Sequence, residues 1–352
     1  MERTKQKSVQ DGDRFGALPD GILHHILSFL TLKDLAKLSF ASKRCQEVCN
    51  SSPSLSLSNI NLKPDNPLCR LGFHTFLHSL MLHRCLHGVK TQTLSLRWSF
   101  HRCLADEEYR VGSWLQHAVN SGVEQLNLEV IADGKPFALP VCVLDCESLR
   151  SVIVNTNNGV LKLPSTLSCC YASSTLRTLI FESVRIEDDG FQKWFPSFKS
   201  LKVLIMSRVS GMKSITIASS SIEKLRITCD DDLCHVHIQE LEKLCELYIF
   251  WRVRNSCSKS LQISAPKLQR FFLGGLAVDY FCMTNSSLLW EAAIGLSLPA
   301  DDDDQPREKK SAHKDNFDKV LRSIHGAKIL TLRVEFVEVL LKHGCLPFYL
   351  II

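Results

Sequence analysis

Arg226, Tyr248, Phe250, Arg270 and Phe272 recur at repeat-like intervals, and they offer the chemistry of recognition. Guanidinium groups beside aromatic rings match the make-up of binding hot spots. They suit an acidic or phosphorylated segment flanked by an apolar anchor. Bond-making chemistry has less to work with. Structural zinc takes paired ligands from two sides of a fold. Cys229, Cys234, His235 and His237 crowd into one turn, and Cys229 continues an apolar core pattern from Ile227. In the second cluster, Cys69, His74, His78, His83, Cys85 and His87, only His74 and His78 pair at helical spacing. Packing or surface roles are expected for both clusters, with no metal and no other cofactor. Cys169-Cys170 lies in Ser-rich sequence without the base that a thiolate nucleophile needs. The chain has no phosphate-cradling Gly-x-x-x-x-Gly-Lys, no Gly-x-Ser-x-Gly elbow and no His-Glu-x-x-His. A non-catalytic protein is expected.

Composition narrows the partners. Hydrophobic residues are 45% and charged residues 22%, the range of a folded chain. The net charge of +5 is scattered singly along the chain, so no nucleic-acid partner is expected. There is no run of about 18 apolar residues, so no membrane partner is expected. Met1 to Phe15 contains no apolar signal core. The fifteen cysteines are therefore read as reduced thiols, many in core positions, in a cytoplasmic and/or nuclear protein.

The candidate binding residues sit inside a repeat, apolar-x-x-apolar-x-apolar. It starts at Thr91, Val123, Leu149, Leu176, Leu201, Ile222, Leu244 and Leu268, with weaker copies at Leu289 and Ala327. Most spacings are roughly 21 to 27 residues, the leucine-rich-repeat window. One such strand cannot bury its two inward side chains alone, so parallel stacking must supply a continuous core. The expected core pairs are Leu126 and Leu128, Val152 and Val154, Leu179 and Phe181, Leu204 and Met206, Leu225 and Ile227, Leu247 and Ile249, and Phe271 and Leu273. An irregular α/β solenoid of eight to ten units follows, from about Thr91. Val184 and Val209 stand where an asparagine ladder would need Asn. The residue between each pair should face the concave side: Asn127, Ile153, Ile180, Ile205, Arg226, Tyr248 and Phe272, with Lys224, Phe250 and Arg270 beside them. The Ile153-Ile180-Ile205 stripe is also what strand propensity alone would produce. Asp301 to Lys310 alternates acidic and basic blocks and is read as a solvated loop.

Ahead of the repeats, Ile22, Leu23, Ile26, Leu27 and Leu30 lie on one helix face, with Pro19 in its first turn. Thr31 to Asp34 has capping-box spacing and opens a second helix bearing Leu35 and Leu38. Ser42-Lys43-Arg44 opens a third. Three helices in so short a span bury little core alone and need a partner on their apolar face.

Leu18-Pro19-Asp20, Ile26-Leu27-Ser28-Phe29-Leu30, Lys33-Asp34, Leu38-Ser39, Ser42-Lys43-Arg44 and Pro53-Ser54-Leu55 resemble an F-box in order and spacing. The family usually has Trp after the Lys-Arg pair and again four residues on. Here these positions are Cys45 and Cys49, so a less firmly packed third helix is expected. Ala118 to Leu128, Leu161 to Pro164, Asp188 to Phe191 and Ile263 to Leu268 are similar to phrases of plant F-box/LRR and F-box/FBD/LRR proteins, without a complete FBD segment. The resemblance implies a small three-helix F-box followed by a leucine-rich-repeat horseshoe. It implies docking on a Skp-class adaptor, and through it a cullin, by Leu18, Pro19, Ile22, Leu23, Ile26, Leu27, Leu30, Leu35 and Leu38. The repeats would hold a protein substrate for ubiquitination, with Arg226, Tyr248, Phe250, Arg270 and Phe272 at the centre. The alternative is a leucine-rich-repeat scaffold or ligand-binding protein with a decayed F-box and no ligase role. The expected organisation is a disordered tail (1–13), an F-box (14–60), a helical linker (61–90) and repeats (91–352) with a charged loop at 300–315. The apolar ending Pro347 to Ile352 lacks a polar cap, which suggests a truncated or divergent member.

Overall fold

In each repeat the alternation of inward and outward side chains decides the architecture: Leu126 and Leu128 are buried and Asn127 between them is exposed. The structure is a computed structural model. It describes residues 14–30, 32–60, 67–100, 106–132, 134–164, 172–186, 188–229, 233–252, 258–284, 287–297 and 307–342. The expected tail at 1–13, Thr31 of the capping box and Cys169-Cys170 lie outside these residues.

Three helices come first: α1 (Asp20–Leu27), α2 (Leu32–Ser39) and α3 (Lys43–Ser51). Leu23, Leu27, Leu35 and Val48 form their core, with Phe15, Leu18, Leu30, Leu38 and Cys49 packed around it. Pro19 is the N-cap of α1, one position before the first turn in which it was expected. Ser42 caps α3 by accepting from the Cys45 amide at 3.1 Å. Arg44 pairs with Asp20, tying α3 to α1.

Strands then alternate with helices: β1 (Ser54–Ser58), α4 (Pro67–Leu86), β2 (Thr93–Ser99), α5 (Glu107–Asn120), β3 (Gln125–Ile131). The pattern continues with β4 (Phe137–Ala138), α6 (Val141–Leu144), β5 (Ser151–Asn155), β6 (Leu161–Lys162), α7 (Ala172–Thr175), β7 (Thr178–Arg185) and α8 (Asp188–Trp194). From β8 (Val203–Ser210) strand follows strand: β9 (Ser214–Ala218), β10 (Lys224–Cys229), β11 (His235–Gln239), β12 (Glu246–Trp251). Next come β13 (Ser260–Ser264), β14 (Arg270–Leu276), β15 (Tyr280–Thr284) and β16 (Glu291–Ser297). The described chain closes with α9 (Arg307–Ile324), β17 (Ile329–Leu332) and α10 (Val334–Lys342).

Among the described residues, β1, β2, β3, β5, β7, β8, β10, β12, β14, β16 and β17 form one parallel sheet in that order. Every expected core pair is buried. The other side of the solenoid changes character along its length. Early repeats return through helices, so Trp114 and Leu115 of α5 pack onto Leu96 and Trp98. Later repeats have shorter returns with period-two patterning, such as Ser214-Ile-Thr-Ile-Ala, and β9, β11, β13 and β15 form a second parallel sheet there.

Three expectations change. The sheet begins at β1, inside the segment assigned to the F-box, and contains eleven strands. Helix α4 therefore belongs to the first repeat and is not a linker. Ser52 hides this start, because it fills the first, normally apolar, position of the repeat unit, as Thr91 does in the next copy. Both are buried where Arg84 on α4 reaches them: its guanidinium donates to the carbonyls of Asn50 (2.8 Å) and Ser52 (2.6 Å) and to Thr91 Oγ1. Burial pulls the Arg84 pKa down to about 10, so it stays cationic at neutral pH. Secondly, the charged loop expected at 300–315 is helical from Arg307 onward, within α9, whose Phe317 and Val320 are buried in the core. Thirdly, Cys234 is disulfide-bonded, against the expectation of thiols throughout.

Candidate functional site

Side-chain alternation and parallel register together build one continuous concave row. Ser56, Ser95, Asn127, Ile153, Ile180 and Ile205 pair in succession. The row continues through Arg226, Tyr248, Phe272, Ala293 and Thr331. The inferred register was therefore correct. It places all five candidate binding residues on the adjoining strands β10, β12 and β14: Arg226, Tyr248 and Phe272 on this row, with Phe250 two residues beyond Tyr248 and Arg270 two residues before Phe272 on the same face.

Adjacent strands are about 4.8 Å apart, so neighbouring rings on the row must touch. Tyr248 and Phe272 stack with centroids 4.2 Å apart and planes 6° from parallel. The Arg226 guanidinium lies over the Tyr248 ring at 4.1 Å, and Arg333 lies 5.5 Å from the Phe272 ring. The result is a column, Arg226–Tyr248–Phe272–Arg333, crossing the strands. Beside it runs a row of alternating charge, Lys224, Glu246, Arg270 and Glu291. Glu246 binds Lys224 at 3.1 Å and also pairs with Arg270. A cavity of about 390 Å³ opens over both rows, reaching from Ile205 to Ala293.

Arg270 is thus paired with Glu246, which it shares with Lys224, whereas Arg226 is exposed and bonds to no carboxylate among the described residues. Phe250 is half-buried over Gly274, where a Cβ would come within 2.9 Å of both the Phe250 and Phe272 rings. Arg333 escaped the sequence reading because it follows β17 and belongs to no repeat position. Its stem fills the space over Gly295, where a Cβ would sit 2.5 Å from Arg333 Cδ. The usable signal was Gly295 inside a strand, which marks close approach by another group.

The F-box helices present a second candidate surface, and the structure divides its residues. Leu23, Leu27 and Leu35 are buried, while Leu18, Leu30 and Leu38 are half-buried around them. Pro19, Ile22 and Ile26 face outward. Phe29 and Phe40, not among the expected contacts, are 75% and 89% exposed. Cys45 is buried, and the Cys49 thiol reaches the Leu35 carbonyl at 3.6 Å, joining α3 to α2. Burial and then the nearby Cys45 push the Cys49 thiol pKa up. Among the described residues, no group of three or more His, Cys, Asp or Glu side chains could hold a metal ion, and no helix is long and apolar enough to cross a membrane.

Residues 15–57 match the F-box domain model. Residues 111–286, half of the chain, match the model described as FBD-associated F-box protein At5g56370, LRR repeats. Similar proteins of Arabidopsis thaliana include F-box protein At3g59000, 28% identical over 63% of this chain and 45% of its own length. F-box/FBD/LRR-repeat protein At5g56420 is 28% identical over 61% of this chain and 49% of its own. F-box/LRR-repeat protein At3g59190 is 25% identical over 96% of this chain and 83% of its own. The chain spans about half the length of the first two.

Proposed function

We propose, from the premise that this chain belongs to the FBD-associated F-box/leucine-rich-repeat family, that it is a non-catalytic substrate receptor of a Skp-adaptor/cullin ubiquitin ligase. The carrying observation is the split on α1. Its inward residues Leu23 and Leu27 complete the F-box core, while Pro19, Ile22, Ile26 and Phe29 leave an apolar strip exposed among the described residues. A strip of that kind on so small a unit fits a partner surface. The repeats would hold the protein substrate on their concave face, and other subunits would supply the ubiquitin chemistry.

The test is co-purification of the full chain with a Skp-class adaptor. Replacing Ile22→Asp and Ile26→Asp together should reduce adaptor capture at least tenfold, because charge is introduced into an apolar contact. Unchanged capture would remove the ligase reading. The remaining alternative is a repeat scaffold with a decayed F-box, for which Cys45 and Cys49 are the supporting feature. The buried Cys45 and the Ser42 cap favour the first reading, since α3 stays anchored without the tryptophans.

A further inference from the structure

The concave column has ends that differ from its middle. Each face of its two rings is covered by a neighbour, so the rings turn their edges toward the cavity, and aromatic edges carry the positive part of the quadrupole. Lys224 and Arg270 share the Glu246 carboxylate, and with Glu291 their row balances in charge. Among the described residues, neither Arg226 nor Arg333 pairs with a carboxylate, and both are exposed. Arg226 lines the cavity and Arg333 adjoins the Phe272 ring that also lines it, which gives two separate guanidinium groups with an apolar bridge between them.

Their separation decides the ligand. Arg226 and Arg333 are about three strand spacings apart, roughly 14 Å. A phosphate dianion is held best by cations that converge on it. Two cations that far apart suit two single carboxylates instead. An extended peptide advances about 3.3 Å per residue and turns alternate side chains to one face. About 14 Å is thus four residues, an even number, so both acidic side chains fall on the same face as the residue midway between them.

Resting on the reading of the repeats as a substrate surface, the geometry points to an extended acidic–x–apolar–x–acidic segment of a protein substrate, lying across the strands. Its two carboxylates meet Arg226 and Arg333, and its central apolar side chain meets the edges of Tyr248 and Phe272. Glu291, on the neighbouring row, repels carboxylates and keeps them on the column of Arg226 and Arg333. On the other side of the column, Gly274 and Gly295 leave room for the Phe250 ring and the Arg333 stem, which fill it.

The experiment is fluorescence anisotropy of the full chain with a labelled Asp-Gly-Leu-Gly-Asp amide. Comparison peptides replace both Asp by Lys, replace both by phosphoserine, or shorten the spacing by one residue. The Asp peptide should bind at least fivefold more tightly than the Lys and shortened peptides, and binding should weaken with salt. Arg226→Ala and Arg333→Ala, both surface changes, should each cost at least threefold. Gly295→Ala keeps both arginines but displaces Arg333, and should match Arg333→Ala. Equal binding of the Asp and Lys peptides, or insensitivity to both arginine variants, would overturn the proposal. Tenfold tighter binding of the phosphoserine peptide would overturn the choice of carboxylate. Adaptor capture on the same preparation judges the ligase reading separately, so the two can fail independently.

Discussion

Single residues set limits that neighbouring positions do not. Gly275 sits at φ +92, and a Cβ there would run into the Trp251 backbone carbonyl. Gly275→Ala should therefore cost on the order of 2–4 kcal/mol. Gly326, with nothing near its missing Cβ, should accept Ala within about 0.5 kcal/mol. Urea unfolding of the two variants checks the contrast. Arg84 is the other decisive residue. Arg84→Met removes a donor to Asn50, Ser52 and Lys90 carbonyls and leaves buried acceptors unpaired, at about 2–4 kcal/mol by the same measurement. Arg84→Lys should not restore it, because a single ammonium cannot reach that fork of acceptors.

At the scale of elements, α1 separates folding from binding within eight residues. Leu23 is buried in the F-box core, so Leu23→Ala should lower stability by about 2–4 kcal/mol. Ile22, one residue earlier, is 51% exposed. Ile22→Ala should change the melting temperature little yet weaken adaptor capture. Thermal melts paired with pull-downs separate the two effects, and equal loss of stability in both variants would contradict the division of the helix. The same logic distinguishes β7 and β8 from the shorter strands. Ser183 and Arg208 both adopt left-handed backbone near φ +50, and Arg208 Nε donates to Ser183 Oγ at 2.8 Å. That bond offsets the cost of placing two non-glycine residues there.

Across the whole molecule, stability should be distributed along one dimension, since each repeat touches mainly its neighbours. The interior strands β5, β7, β8, β10, β12 and β14 of the main sheet pair with a strand on each side. At β17, Ile329 and Leu330 are 47% and 39% exposed. Hydrogen exchange should be slowest in the interior strands and faster in β17. Uniform protection along the sheet would show that the solenoid unfolds as one unit. The F-box should not behave as an independent domain either. Helix α3 leads through Ser52 and Pro53 directly into β1, and Arg84 fastens its C-terminal carbonyls to α4. A substrate on the concave face would then be held at a fixed position relative to the adaptor.

The periodicity of the sequence determined the solenoid, its core pairs and the outward row, because two inward apolar side chains per strand admit no other burial. It also located the three F-box helices, through the apolar spacing of Ile22, Leu23, Ile26, Leu27 and Leu30, the capping-box spacing of Thr31 to Asp34, and Ser42-Lys43-Arg44. It did not reveal that the sheet starts at Ser54, since Ser52 is polar, the segment lies within the F-box match, and only the folded chain brings Arg84 onto it. It likewise could not pair Arg270 with Glu246, or bring Arg333 from beyond the last repeat onto Phe272. Those contacts join residues on different strands through side-chain reach, which depends on the glycine gaps at 274 and 295 and on the curvature of the stacked sheet. Sequence spacing decides which face a residue occupies. Only the tertiary structure decides which charges on that face are already spent.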